Sequence, residues 1–313
     1  MVYSKKMYFF TKLIVIFCTC FALVLSTSML ARAATSASVE LLTVLSADDY
    51  YGSFREPGGL FYEENSKRFY VADSGNSRLL SFDKNYEYVS ELSHADLGMP
   101  LGIVKAKSGN FFVMDGKIGA LSFIDLKDKT VNRFEFKGVP KGREAFYPGS
   151  FAVDGDDNLY IIDRLNKRII ITDAEGNFKN SLVVKGKDFR GFNDVRVDAN
   201  GIVYALDTVG AALYIFNSKG KMVKKITGKT KDSAFVFPVS IALSPKGYIF
   251  VLDSFRNQVL VFSSSGSFNF VFSQPGKIEG RLNSPSYVYI DNEGRLYIVD
   301  GNRIQIFKLS NNL

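Results

Sequence analysis

Residues 159–163 read Leu-Tyr-Ile-Ile-Asp, a short apolar run that ends in an acid, and this pattern decides the fold. Five further runs have the same form: Phe-Tyr-Val-Ala-Asp at 69–73, Phe-Phe-Val-Met-Asp at 111–115, Val-Tyr-Ala-Leu-Asp at 203–207, Ile-Phe-Val-Leu-Asp at 249–253 and Leu-Tyr-Ile-Val-Asp at 296–300. Successive aspartates are 42, 48, 44, 46 and 47 residues apart. Apolar runs of this length between polar turns are typical of β-strands. The sequence therefore predicts six copies of one strand-rich unit.

The residues around each run predict four antiparallel strands per unit. In the third unit, a strand at 150–153 and a polar turn at 154–158 precede the run, and strands at 168–171 and 177–184 follow it. The sixth unit ends after its third strand, whereas 39–45 is an extra apolar strand before the first unit. We predict an all-β, six-bladed β-propeller of four-stranded antiparallel blades over 39–309. Its ring is closed by the N-terminal strand pairing into blade six, which removes the exposed edges of the seam.

The repeated motif resembles the NHL repeat. The third unit carries it as Pro-Gly-Ser-Phe-Ala-Val-Asp at 148–154, Asn-Leu-Tyr-Ile-Ile-Asp at 158–163 and Asn-Lys-Arg-Ile at 166–169. The resemblance covers about 39–309 and implies a six-bladed propeller. It says little about activity, because this family consists mostly of scaffolds and binding platforms with a few enzymes among them.

The first 34 residues have the layout of a secretory signal. A basic start precedes an apolar run at 13–25, and Ala31, Arg32 and Ala33 form a small-x-small cleavage site. We predict a signal peptide at 1–33, a linker at 34–38, a C-terminal tail at 310–313, and export to the periplasm or the extracellular space. The alternative is an uncleaved membrane anchor formed by residues 13–30.

Composition and charge exclude several classes of partner. The chain has 39 Lys and Arg against 32 Asp and Glu, a net charge of +7, but four of the basic residues lie in the leader and the remainder is nearly neutral. We therefore expect no nucleic-acid partner. Cys18 and Cys20 both lie in the apolar leader run. The mature chain would have no cysteine and no disulfide-linked partner, and it would contact a membrane only through an uncleaved leader.

The six strand-end aspartates could be a ring of catalytic acids or turn residues that accept backbone hydrogen bonds. Their recurrence in every unit favours the structural interpretation. Arg78, Arg168 and Arg303, at the start of the next strand, would neutralise three of them. The oxygen-rich segment 154–158 similarly suggests a hairpin turn and not a calcium loop, since Leu159 and Leu165 stand where that loop needs Gly and Glu.

Residues that begin the inner strands should line the central channel. Blade four alone brings a carboxylate there, as Asn193 and Asp194. The related peptidyl-hydroxyglycine lyases hold zinc through several histidines, whereas this chain has a single histidine, His94, which we interpret as a surface residue. Lactonases of the gluconolactonase type use axial carboxylates and Asn around a divalent metal, but no second axial acid is visible here. We therefore expect no catalytic residue to be identifiable and no cofactor or metal.

The loops that lead into the blades differ in charge. Those of blades three to six total +5, whereas those of blades one and two total −3. Scattered solvated charge is the simpler account, but the basic loops also carry aromatic residues, as recognition surfaces do. The candidate ligand-binding residues are Arg143, Tyr147, Arg190, Asn193, Asp194, Arg281 and Tyr287.

From these features we expect an exported, non-enzymatic propeller whose loop-bearing face binds a protein, a peptide or another extracytoplasmic ligand. The alternative is a metal-dependent hydrolase or lactonase-like enzyme centred on Asn193 and Asp194. A third reading is a structural module of a larger envelope assembly.

Overall fold

The computed structural model of the protein describes residues 39–313, apart from 108, 126, 127, 129 and 229. The predicted signal peptide and linker lie outside the described residues. Within the described part of the chain, no helix is both long and apolar enough to cross a bilayer.

Six four-stranded antiparallel sheets form the blades of a propeller, as the sequence predicted. Blades one to three contain β2 (Pro57–Glu63), β3 (Arg68–Asp73), β4 (Arg78–Phe82), β5 (Tyr88–Ser93), β6 (Pro100–Lys105), β7 (Phe111–Asp115), β8 (Ala120–Asp125), β9 (Thr130–Arg133), β10 (Pro148–Val153), β11 (Leu159–Asp163), β12 (Arg168–Thr172) and β13 (Phe178–Val183). Blades four to six contain β14 (Asp194–Val197), β15 (Val203–Asp207), β16 (Ala212–Phe216), β17 (Met222–Ile226), β18 (Pro238–Leu243), β19 (Ile249–Asp253), β20 (Gln258–Phe262), β21 (Phe268–Phe272), β22 (Pro285–Ile290), β23 (Arg295–Asp300) and β24 (Arg303–Leu309). A short 3-10 turn spans Ser74–Asn76.

The N-terminal strand β1 (Val39–Leu45) closes the ring. It pairs antiparallel with β24, from Val39 opposite Leu309 to Leu45 opposite Ile304, and so becomes the outer strand of blade six. The predicted closure is confirmed. The tail beyond β24 folds back onto blade five, where the hydroxyl of Ser244 donates to the carbonyl oxygen of Leu313 at 2.6 Å.

Large apolar side chains fill the spaces between neighbouring blades. At the seam between blades six and one, the rings of Phe69 and Tyr297 stack with their centroids 4.8 Å apart. Leu45, Tyr62 and Ile306 belong to the same buried cluster. The closing strand thus contributes core contacts as well as backbone pairing. Aromatic rings suit the flat interfaces between blades because each ring buries a large area.

The six strand-end aspartates are structural, as their recurrence indicated. All are 0–3% exposed, and each accepts hydrogen bonds from the loop that leads into its own blade. Asp163 accepts from the Tyr147 backbone of that loop at 3.4 Å. It also accepts from the Asn166 amide and the Arg168 Nε, which follow it in the chain, both at 2.9 Å. Among the described residues, no arginine side chain donates to Asp253, which accepts from the backbone of Val236, Phe237 and Arg256 at 2.7, 3.1 and 3.1 Å.

These hydrogen bonds join two kinds of segment at one end of the propeller. Because consecutive strands alternate in direction, the loops between blades and the turns between second and third strands share that end. Backbone hydrogen bonds link them, from Arg164 to Tyr147 at 3.0 Å and from Ser254 to Phe237 at 3.1 Å. We call this end the mouth face, the between-blade segments the connecting loops, and the turns after the strand-end aspartates the mouth turns.

At the other end, the hairpin turns are built from side-chain acceptors. Asp154 Oδ1 accepts from the backbone of Asp156 and Asn158, both at 2.9 Å, and its Oδ2 accepts from the Tyr160 hydroxyl at 3.1 Å. This arrangement closes a tight turn and uses both oxygens within the chain. Segment 154–158 is thus a hairpin turn, as the sequence favoured over a calcium loop.

We predict that stability depends on the residues of the closing strand β1 that face the seam core, and not on those that face solvent. Leu45 is 8% exposed in the seam core, whereas Leu42 of the same strand is 44% exposed. Leu45→Asp buries an unpaired charge and should lower the free energy of unfolding by about 3 kcal/mol or more, while Leu42→Asp should change it by less than about 0.5 kcal/mol. Urea unfolding of both variants measures the difference. Equally small effects would mean that residues 39–45 do not close the ring.

Candidate functional site: the axial cavity

A cavity of about 280 Å³ lies on the propeller axis, where the inner strands begin. We call it the axial cavity. Its apolar wall comes mainly from blades two, three and five, through Leu101, Ile103, Met114, Phe151 and Val239. Its polar lining consists of Ser150, Arg164, Asn193, Asp194, Ser240, Ser286 and Tyr287. Because Arg164 belongs to a mouth turn, the cavity lies at the mouth-face end of the axis.

On one side, the cavity wall is formed by backbone atoms, because glycines allow the inner strands β2 and β6 to come into direct contact. A Cβ atom at Gly58 would lie 2.7 Å from the carbonyl oxygen of Leu101, and one at Gly59 would lie 2.7 Å from the Cα of Gly102. Real Cβ atoms do not approach so closely. The small residues that begin these strands are therefore required by the contact between blades one and two.

Asp194, in the lining of the cavity, connects the inner strands of three blades. Its Oδ1 accepts from the Ser150 hydroxyl of blade three at 2.8 Å. Its Oδ2 accepts from the Ser240 hydroxyl and the Ile241 backbone of blade five, both at 2.9 Å. Asp194 is 3% exposed. A buried carboxylate with donors on both oxygens is fixed in place. Because Ser150 and Ser240 each use their hydroxyl hydrogen to donate to Asp194, their oxygens can act only as acceptors toward other groups.

Arg196 extends this network from the same strand. Its Nη1 donates to Asp194 Oδ1 at 2.7 Å, and its guanidinium carbon lies 5.2 Å from the centroid of the Tyr287 ring of blade six. Burial lowers the pKa of Arg196, but the negative charge of Asp194 raises it. The net effect is a raised pKa. Burial raises the pKa of Tyr287 although Arg196 opposes the shift. The phenol is therefore neutral near pH 7 and can donate a hydrogen bond.

Arg164 is a candidate site residue that the sequence reasoning missed. It follows the strand-end Asp163, is exposed, and lies across Gly149, where a Cβ atom would be 2.5 Å from its Nε. Glycine at 149 thus gives the guanidinium room to reach the axial cavity. A signal was present in the sequence, since the corresponding residues of the other mouth turns are Ser, Gly or Thr.

The structure separates the seven predicted ligand-binding residues into two groups. Asn193, Asp194 and Tyr287 line the axial cavity. Arg143, Tyr147, Arg190 and Arg281 are exposed on three different connecting loops. The two groups share the mouth face but do not form a single site.

Most aromatic residues of the connecting loops are core residues. Phe189, Phe192 and Phe235 are 9%, 3% and 7% exposed, and they cover the ends of the blades. Tyr147 and Phe237 are 41% and 46% exposed. Few of the loop aromatics are therefore available to a ligand.

The donors around the axis do not fit a divalent metal. Asp194 is the one carboxylate among the residues that line the cavity, and both its oxygens accept hydrogen bonds from the chain. The Asn193 Oδ1 accepts from the Thr208 backbone at 3.2 Å. Among the described residues, no group of three or more His, Cys, Asp or Glu side chains could hold a metal ion. His94 is not among the cavity-lining residues, and its Nδ1 accepts from the Asp96 backbone at 3.1 Å.

We predict that Asp194 is a structural anion and not a metal ligand. Asp194→Asn should lower the free energy of unfolding by about 3 kcal/mol, because it removes the charge that pairs with buried Arg196. Elemental analysis should find equally substoichiometric divalent metal in the wild type, in this variant and in the control Asp198→Asn, which changes a hairpin-turn carboxylate of the same blade. One equivalent of metal in the wild type that is lost with Asp194 would contradict the assignment.

The fold is a six-bladed propeller that is similar to several solved structures. A streptogramin B lyase matches with a TM-score of 0.63 and 10% identity over 88% of this chain and 99% of that one. Virginiamycin B lyase from Staphylococcus aureus matches at 0.60 and 12%, over 87% and 100%. A gluconolactonase from Xanthomonas campestris matches at 0.65 and 14%, over 87% and 95%. No protein-family model and no curated protein sequence matches the chain.

These comparisons correct the expectation of a non-enzymatic binding scaffold. The structural neighbours named above are enzymes, a lyase type and a gluconolactonase, so the alternative of an axial enzyme agrees with them better. The sequence reasoning gave too much weight to the missing histidines and acids, because it judged activity by the metal ligands that two types of propeller enzyme need. At 10–14% identity, the likeness itself shows the fold alone.

Proposed function

We propose that this chain is an enzyme of the hydrolase or lyase type whose substrate binds in the axial cavity. The observation that carries the proposal is the combination of a cavity of about 280 Å³ with Arg164 and Tyr287 in its lining. A concave site with an apolar wall and a few convergent polar groups is the usual form of a small-molecule site. The enzymatic structural neighbours add support.

The lining favours a small substrate with an apolar part and a carbonyl or carboxylate group. Leu101, Phe151 and Val239 would bury the apolar part. The Arg164 guanidinium would bind the oxygen, since its planar donors match a carboxylate or a developing oxyanion. Lactone or ester opening fits this description, because negative charge develops on the carbonyl oxygen when water attacks.

The residues of the cavity have separable roles in this proposal. Arg164 and the neutral phenol of Tyr287 are donors that would stabilise developing negative charge. The Ser150 hydroxyl donates to Asp194 and so presents its oxygen as an acceptor for a water or a substrate hydroxyl. Asp194 and Arg196 are positioning residues that hold the lining of the cavity in place. No step is routed through a metal, because the axial donors do not fit one.

The test is hydrolysis of a panel of small lactones and aryl esters, in which pH-stat titration measures the acid that forms and absorbance measures the phenol released from the aryl esters. We expect turnover by the wild type and a loss in kcat/KM of about tenfold or more in Arg164→Gln, because one charged donor is removed. Gly149→Ala should reproduce part of the loss by displacing the guanidinium.

The matched control is Lys167→Gln, which removes a positive charge from the same mouth turn without touching the cavity lining. Its kcat/KM should equal that of the wild type. No turnover of any panel member by the wild type, or turnover that is unaffected in Arg164→Gln, would contradict the proposal.

We also propose that the six units are NHL-type repeats. The Asp, Asn and Arg of the motif support this, because Asp73 accepts from Asn76 Nδ2 and Arg78 Nε, both at 2.8 Å, as Asp163 does from its own Asn and Arg. Export through a cleaved leader is part of the same proposal and is supported by the composition of residues 1–34.

A further inference from the structure

Exposed apolar side chains are concentrated on the mouth face. Among the described residues, fourteen large hydrophobic side chains are exposed, and nine of them lie in mouth turns or connecting loops. Tyr50 belongs to the acidic loop of blade one. The other eight come from blades two to six, and we call them the apolar collar: Ile118, Tyr147, Leu165, Val209, Val236, Phe237, Phe255 and Ile278.

The collar follows the repeat of the fold. Leu165, Val209 and Phe255 occupy the same position, two residues after the strand-end aspartate, and are 51%, 70% and 75% exposed. Ile118, in the turn of blade two, is 49% exposed. Equivalent positions in a closed ring lie at similar heights, so these side chains project from the mouth face around the axial cavity. Exposed apolar groups in such an arrangement mark an interaction surface.

Basic residues stand between the apolar tips. The mouth turns of blades two, three and five contain Lys117, Arg164, Lys167 and Arg256 and no acid. The connecting loops of blades three to six add a net charge of +5. Lys117, Arg143, Lys167 and Arg190 are exposed, and none of them forms an ion pair with another described residue. The acidic loops of blades one and two border the collar on one side.

We propose that the mouth face docks onto an anionic lipid surface, with the apolar collar inserted at the headgroup level. Apolar tips flanked by Lys and Arg are the chemistry by which soluble proteins bind the interface of acidic bilayers. The proposal adds a membrane contact that the sequence reasoning had confined to an uncleaved leader. It does not depend on the proposed activity.

The layout favours a bilayer over a protein partner. A protein interface is usually organised around a few anchors that fill pockets at its centre. Here the tips stand on separate turns around the mouth of the axial cavity, so the centre of the surface is open. A lipid bilayer is flat and fluid, so it can contact all the side chains of the apolar collar together and needs no shape that is complementary to the open cavity between them.

The absence of tryptophan makes a direct test possible. The chain contains no Trp, so Phe255→Trp and, separately, Leu165→Trp each create a single fluorescent reporter on a collar tip. The control is Met222→Trp, at a position 44% exposed on the outer strand β17. Any membrane tethering by the apolar run at 13–30 is common to all three full-length variants.

The measurement is quenching of each reporter by brominated lipid in vesicles of phosphatidylcholine with phosphatidylglycerol. We expect the fluorescence of the reporters at positions 255 and 165 to shift to the blue and to be strongly quenched, and that of the reporter at position 222 to change little. The effect should be lost in vesicles of phosphatidylcholine alone. Added salt should weaken binding. Lys117→Glu with Lys167→Glu should weaken it by about fivefold or more for each residue changed.

Three outcomes would overturn the proposal. One is that the collar reporters are quenched no more than the control. Another is quenching of the collar reporters, in excess of the control, that is equally strong in vesicles of phosphatidylcholine alone. The third is a blue shift that grows with protein concentration in the absence of vesicles, which would mean that a second copy of the chain covers the collar.

Discussion

The carboxylate at the end of each second strand is the interaction on which the rest of the structure depends. It is buried in every blade and accepts hydrogen bonds from the connecting loop, from the mouth turn, or from both. A buried carboxylate without such donors would cost several kcal/mol, so the loop and the turn must adopt the conformations that supply them. The repeated acid thus organises an entire face of the propeller.

Both features of the mouth face to which we assign a proposed function follow from that organisation. The mouth turns hold Arg164 at the axial cavity and Leu165, Val209 and Phe255 in solvent. Asp194 has a similar role at the axis, because it connects the inner strands of blades three, four and five. The one carboxylate among the residues that line the cavity is thus used to hold neighbouring blades together. Arg164 and Tyr287 are the lining residues that we propose as donors to the substrate.

The sequence predicted the fold well because the information is periodic and local. Six apolar runs that end in Asp, an extra strand before the first unit and a missing fourth strand in the sixth determine six blades and their closure. The site depends on contacts between blades that no repeat period encodes. Asp194 receives Ser150 and Ser240 from two other blades, and Arg164 reaches the axis because residue 149 has no side chain. The functional expectation was wrong where it treated the absence of familiar ligands as the absence of an enzyme.

The most direct test of this account is hydrogen exchange in the connecting loop of blade five after removal of its acceptor. Asp253 accepts from the backbone N–H groups of Val236, Phe237 and Arg256. In Asp253→Ala, we predict that the amides of Val236 and Phe237 lose their protection and that the protein is destabilised by about 2 kcal/mol, whereas the control Asp232→Ala in the same loop changes neither. Unchanged protection of both amides in Asp253→Ala would contradict the claim that these carboxylates hold the mouth face in place.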